Sequence, residues 1–177
     1  MTRRAARSTA NPLWTYSLRL YRRPGVAPAC IALQDRLGVD VNLLFFCLWM
    51  AHSGRTLTPA ALRLAAGLAR VWTTNVVGPL RGTRRFLKPL DLPKLRGAVA
   101  QVELAAERAE QDLLVRLAPR PSKRRSRDGA ERAVTNIARY AAYWRKAPGA
   151  ADRRALLHVV RAAFPECPPE ALSRAFG

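Results

Sequence analysis

Nine consecutive residues, Leu43-Leu44-Phe45-Phe46-Cys47-Leu48-Trp49-Met50-Ala51, contain no charged or hydroxyl-bearing side chain. This run constrains the fold more than any other feature of the chain. It is far shorter than the ~20 residues that a membrane span requires, so protein must cover it. Asp40 stands before it and Gly54 after it, residue types that respectively cap and close a helix. A helix that is apolar on every side occupies the centre of a helical domain. The rest of the chain must then supply amphipathic helices to surround residues 41–53.

Signals for such helices punctuate the sequence. Asn11-Pro12 pairs a cap with a proline at the first helical position and opens a helix to about Arg22. Its predicted apolar face is Trp14, Leu18 and Tyr21, with Leu13, Ser17 and Leu20 beside it. After Pro24-Gly25, three-and-four spacing of Val26, Ala29, Cys30, Leu33 and Leu37 predicts a helix over 26–37 that Gly38 closes. Thr58-Pro59 starts another over 59–77, and Gly78-Pro79 must break or kink it before it resumes at 81–87. Asp91 and Pro93 open a long helix to about Ala118. There Leu92, Leu95, Val99, Val102, Ala106, Ala109 and Leu113 form a heptad seam suited to antiparallel pairing with the preceding helix. Further helices are expected at 130–146 and 151–163, followed by a proline-punctuated tail.

Strand-type alternation is nearly absent and there is no internal repeat. The fold class is therefore all-α, an antiparallel multi-helix domain with a central apolar helix, a basic linker and a short helical C-terminal extension. The expected division is a disordered basic N-terminus at 1–10, a helical core domain at 11–118, a basic flexible linker at 119–129 and the helical extension at 130–177.

One stretch also carries a resemblance. Trp14, Tyr16-Ser17-Leu18, Leu20-Tyr21, Pro24-Gly25-Val26, Ala29-Cys30, Leu33-Gln34-Asp35, Gly38 and Asp40-Val41-Asn42-Leu43-Leu44 together resemble the N-terminal signature of an uncharacterised family of small bacterial all-helical proteins, a domain of unknown function. The likeness continues more thinly through Val76-Val77, Pro79-Leu80-Arg81, Arg84-Arg85 and Leu87-Lys88. It implies a helical fold over most of the first 118 residues and implies no chemistry.

Charge narrows the partners. Lys and Arg number 31 against 12 Asp and Glu, a net charge of +19, which attracts phosphate backbones, anionic membranes or acidic proteins. Only four of the 31 are lysine, so arginine-rich codon usage accounts for part of the surplus. It does not account for the distribution. Residues 54–90 carry seven basic side chains and no acidic one, and residues 119–127 five and none, whereas 91–118 carry four basic and five acidic.

Catalytic signatures are missing. Gln34, Asp35, Asp40 and Asn42 form the one candidate polar cluster, read as structural: Asp40 caps the apolar helix, and Asn42 bonds Asp35 or a neighbouring helix end. Glu103, Glu107 and Glu110 share a helix face but lack the Glu-x-x-His partners of a bundle metal site, so they are read as a solvated acidic face with no metal. His52-Ser53 has no nucleophile elbow around it, and no glycine-rich phosphate loop exists. No cofactor is expected. Three cysteines without a C-x-x-C pair suit a reducing compartment without disulfides. The first thirteen residues lack the apolar stretch of a secretory signal, and the expected location is the cytoplasm.

Two features favour binding. Arg81, Arg84, Arg85 and Lys88 recur at one-face helical spacing in the segment without carboxylates, and Lys123, Arg124 and Arg125 extend the basic surface into the linker. Val134, Ile137, Ala141 and Trp144 make an apolar stripe, which leaves Tyr140 and Tyr143 to stack on bases beside Arg139 and Arg145. The leading expectation is a non-enzymatic binding module for an anionic partner, RNA or a ribonucleoprotein. An adaptor for an acidic protein is the alternative. A small enzyme with an unrecognised site around Asp35, Asp40 and Asn42 is the weaker one.

Overall fold

The computed structural model describes residues 11–119 and 129–176. Lys123, Arg124 and Arg125, the N-terminal ten residues and nearly all of the linker lie outside the described residues. Helices α1 (Pro12–Tyr21), α2 (Val26–Leu37), α3 (Val41–His52) and α4 (Pro59–Trp72) are followed by a π-helical turn at Thr73–Val77. Then come α5 (Gly78–Phe86), α6 (Pro93–Leu117), α7 (Gly129–Ala141), α8 (Ala150–Ala163) and α9 (Ala171–Ala175). No strand occurs among the described residues, so the fold is all-α.

The local punctuation sets the helix ends. Asn11 Oδ1 accepts from the amides of Leu13 and Trp14 at 2.8 and 3.1 Å. Asp40 Oδ1 accepts from Leu43 N at 3.0 Å, and Thr58 Oγ1 from Ala61 N at 3.2 Å. Each removes an orphan donor at a helix start. Gly25, Gly38 and Gly54 have φ of 77°, 69° and 74°, a left-handed conformation that favours glycine. At Gly78-Pro79 the chain keeps winding. Gly78 N donates to Thr73 O, a π-type bond, and the widened turn accommodates a proline that has no amide and crowds the preceding carbonyls.

α3 is central. Leu43, Leu44, Phe45, Phe46, Cys47, Leu48, Met50 and Ala51 are all buried, enclosed by α1, α4, α6 and α7. The C-terminal helices complete this core. α7 lies along α3 and buries Ala133, Ile137 and Tyr140, while α8 packs on α2 through Leu156, Val159 and Val160. Asn136, fully buried on α7, accepts from Leu57 N at 2.7 Å and donates to Cys47 O and Arg55 O at 3.1 and 3.3 Å. One side chain thereby pins the α3–α4 connection to α7. All three cysteines are free and buried. Among the described residues, no helix is long and apolar enough to cross a membrane.

Three expected faces are rotated. On α1 the buried positions are Leu13, Ser17 and Leu20, and Trp14, Leu18 and Tyr21 line a groove instead. On α7 the helix ends at Ala141, and the core stripe is Ala133, Ile137 and Tyr140, with Trp144 continuing it. On α6 the N-terminal part of the expected seam faces outward, with Leu92, Leu95 and Val102 exposed, whereas Ala106 of that seam is buried. The buried positions there are Glu103, Ala106, Glu110, Gln111 and Leu114.

Candidate functional site

The polar face of α6 closes the bottom of a groove of about 1280 Å³. α4, the π-turn and α5 contribute Arg63, Arg70, Thr73, Arg81 and Arg85 to it along one continuous helical ladder, and Lys88 follows in the turn after α5. Trp14, Leu18 and Tyr21 of α1 and Gln34 and Asp35 of α2 line it as well, as do Asp40 and Asn42 at the start of α3. Trp14, Ser17, Leu18, Tyr21, Cys30, Gln34, Asp35, Asp40 and Asn42, among the residues that carried the family resemblance, thus converge on one cavity.

At its base runs a chain of hydrogen bonds with a consistent direction. Ser17 Oγ donates to Gln111 Oε1 at 3.2 Å, Gln111 Nε2 to Asn42 Oδ1 at 2.7 Å, and Asn42 Nδ2 to Glu110 Oε2 at 2.8 Å. Asn42 therefore bonds side chains within α6, and neither Asp35 nor a helix end as expected, while half-exposed Asp35 pairs with Arg85. Asp40 receives Thr73 Oγ1 at 2.6 Å on the carboxylate oxygen that does not cap α3. Its backbone amide donates to Tyr140 Oη at 2.8 Å. Asp40 is structural in this geometry: it joins α3, the π-turn and α7 at one point.

Glu110 is fully buried, and its Oε1 has no hydrogen-bond partner. Burial, reinforced by the negative charge of Asp40, pushes its pKa up to about 9, so it is a neutral acid at pH 7. A protonated Glu110 keeps its hydrogen bond from Asn42 and adds no second negative charge beside Asp40. Tyr140 is 3% exposed. It cannot stack on a base, which corrects its assignment as a binding residue; its phenol is needed by the Asp40 backbone. Tyr143 is 48% exposed and also lines the groove.

The acidic face of α6 is not solvated, again against expectation. Glu103 is 5% exposed. It accepts from Arg81 Nε at 3.0 Å and Arg84 Nε at 2.5 Å, while Arg81 Nη2 reaches Glu107 at 2.8 Å. Burial raises the Glu103 pKa, but the hydrogen bonds from Arg84 and Arg81 outweigh it and hold the group below its ordinary value. Burial raises Glu107, an effect that the Arg81 charge only partly offsets. Arg85 pairs with Asp35 at 3.0 Å on the surface. Of the four-residue basic stripe, Arg81 and Arg84 are thus committed to internal carboxylates and Arg85 to an exposed one. Lys88 has no ion pair among the described residues. The same holds for Arg63, Arg70, Arg96 and Arg145, all of them exposed and lining the groove. Sequence reasoning singles out Arg145 beside Tyr143 but misses Arg63, Arg70 and Arg96, which are scattered over α4 and α6.

No group of three or more His, Cys, Asp or Glu among the described residues has the arrangement to hold a metal ion. His52 lies outside the groove, where its ring sits 5.5 Å from that of Tyr16 and 6.4 Å from that of Phe164. No curated protein and no solved structure matches the chain. A model of the family described as a protein of unknown function, DUF2390, matches residues 12–114. The chain belongs to this family of unknown function.

Proposed function

We propose that the chain is a binding module for RNA, and that it holds phosphates along the groove with Arg63, Arg70, Lys88, Arg96 and Arg145. One observation carries the reading: these five cations line a single cavity and have no carboxylate partner among the described residues. Unpaired guanidinium and ammonium groups around a cleft focus positive potential and concentrate phosphate. Half-exposed Tyr143 offers a ring on which an unpaired base can stack. Backbone contacts dominate such an arrangement, so shape is read and not base edges. Arg81 and Arg84 act one step removed: by neutralising Glu103 and Glu107 they keep the base of the groove from repelling the ligand. A cytoplasmic setting fits three buried thiols with no pairing among them.

The test is binding of a labelled single-stranded oligoribonucleotide, followed by anisotropy, for the wild type and for a variant carrying Arg63→Ser and Arg70→Ser. Both positions are exposed on α4, so melting should not change. Affinity should fall at least tenfold. Unchanged affinity at unchanged stability removes the groove from RNA binding and shifts the account to an adaptor for an acidic protein.

A further inference from the structure

The turn that joins α5 to α6 is anchored by buried Leu87 and is exposed beyond it. Every residue from Lys88 to Ala98 is exposed, although the stretch includes the first turn and a half of α6. Its large side chains are nevertheless apolar. Phe86 is 71% exposed, Leu90 43%, Leu92 46% and Leu95 51%. Single surface leucines need no explanation, but four large apolar groups within ten positions of one exposed tip are a contact surface without its contact. Pro89 and Pro93 stiffen the connection between them.

The charges around this tip have one sign. Lys88, Lys94 and Arg96 have no ion pair among the described residues, and Asp91 is the one carboxylate between residues 82 and 102. Phe86 ends α5, Leu90 and Leu92 lie in the turn and Leu95 is on α6, so the apolar groups come from three elements and not from one helix seam. An exposed apolar patch drawn from several elements and flanked by cations suits a deformable anionic medium. Leucine and phenylalanine enter the boundary between headgroups and acyl chains, and lysine and arginine stems reach back to the phosphates.

We infer that the α5–α6 tip is a peripheral docking element for an anionic lipid surface. Phe86, Leu90, Leu92 and Leu95 insert, while Lys88, Lys94 and Arg96 hold headgroup phosphates. Lys88 and Arg96 are common to this tip and to the groove, but the two tests are separate, since that of RNA binding uses Arg63 and Arg70 on α4.

The experiment is flotation of the full chain with vesicles of phosphatidylglycerol in phosphatidylcholine and with vesicles of phosphatidylcholine alone. Wild type is compared with a Leu92→Ser, Leu95→Ser variant and a Lys94→Ser, Arg96→Ser variant. The first has the charge of the wild type, so it isolates insertion from general attraction of a +19 chain. Its partitioning onto the anionic vesicles should drop by more than about tenfold at unchanged melting temperature. The second should lose about fivefold for each cation removed. Binding to phosphatidylcholine alone should be weak for all three. Equal partitioning of the wild type and the double-serine leucine variant overturns the inference, since charge alone would then explain binding. Failure of the wild type to bind anionic vesicles overturns it too. So does a concentration-dependent dimer that Leu92→Ser, Leu95→Ser abolishes without any vesicle binding, which would seat the tip on a second copy.

Discussion

Replacing Glu110 by Gln should flatten the pH dependence of stability. Glu110 is fully buried, bonded by Asn42 and adjacent to Asp40, and its pKa is raised from 4.5 to about 9. The folded state therefore binds a proton that the unfolded chain releases. The stability from this group is fully present below pH 4.5 and is lost progressively up to about pH 9. The loss is on the order of 1 kcal/mol per pH unit, or about 2–3 kcal/mol between pH 5 and 7. Glutamine mimics the protonated acid: its oxygen accepts from Asn42 and it adds no negative charge beside Asp40. The difference between Glu110→Gln and wild type should thus move in favour of the variant by that amount over this interval. At about 2–4 °C per kcal/mol, the relative melting temperature shifts by about 5–10 °C. Urea unfolding of both proteins at pH 5, 6 and 7 measures it. Parallel curves that stay within about 0.5 kcal/mol would refute the reasoning, because Glu110 would then be ionised in the fold or titrate as in the unfolded chain.

Other consequences follow from single contacts. Asn136→Ala leaves the Leu57 amide without its acceptor in the core and removes two further bonds, so urea denaturation should show a loss of about 2–4 kcal/mol; a loss below about 1 kcal/mol would mean that α7 does not pin this loop. Arg84→Glu places a carboxylate against nearly buried Glu103, and the expected cost in thermal melts is about 3–5 kcal/mol, well above the 0–1 kcal/mol of an exposed pair. Gly78→Ala puts a Cβ 2.5 Å from the Thr73 carbonyl; the π-turn must shift, which should cost about 1–3 kcal/mol by calorimetry, whereas a neutral substitution would show that the turn yields freely.

The parts of this fold that were legible in the sequence are those set by local chemistry. The caps at Asn11, Asp40 and Thr58, the left-handed glycines at 38 and 54, and the all-apolar α3 each depend on residues a few positions apart. The face of α6 was not legible in its periodicity. Its leucines and valines mark a better heptad seam than its buried side, yet the side that turns inward carries Glu103, Glu107 and Glu110. Those carboxylates are tolerated because α5 brings guanidinium groups to Glu103 and Glu107, and because Glu110 takes up a proton instead. The available signal was the contrast between a 37-residue stretch without carboxylates and an acid-bearing helix after it. Tyr140 was lost to a register choice. Ala133, Ile137, Tyr140 and Trp144 are spaced four, three and four apart, as are their core neighbours, whereas the stripe through Val134 and Ala141 points partly outward. The groove assembles from seven helices, α1 to α7, and no local pattern encodes which of its arginines find a carboxylate.

The central claim is that the unpaired groove cations, not Arg81 and Arg84, contact phosphate. The most direct measurement is the salt dependence of single-stranded RNA binding for the wild type, Arg63→Ser, Arg70→Ser and the two combined. The magnitude of the slope of log affinity against log salt should fall by about 0.7 for each residue removed, and by about 1.4 for the pair. A slope that is the same in all four proteins would contradict the account.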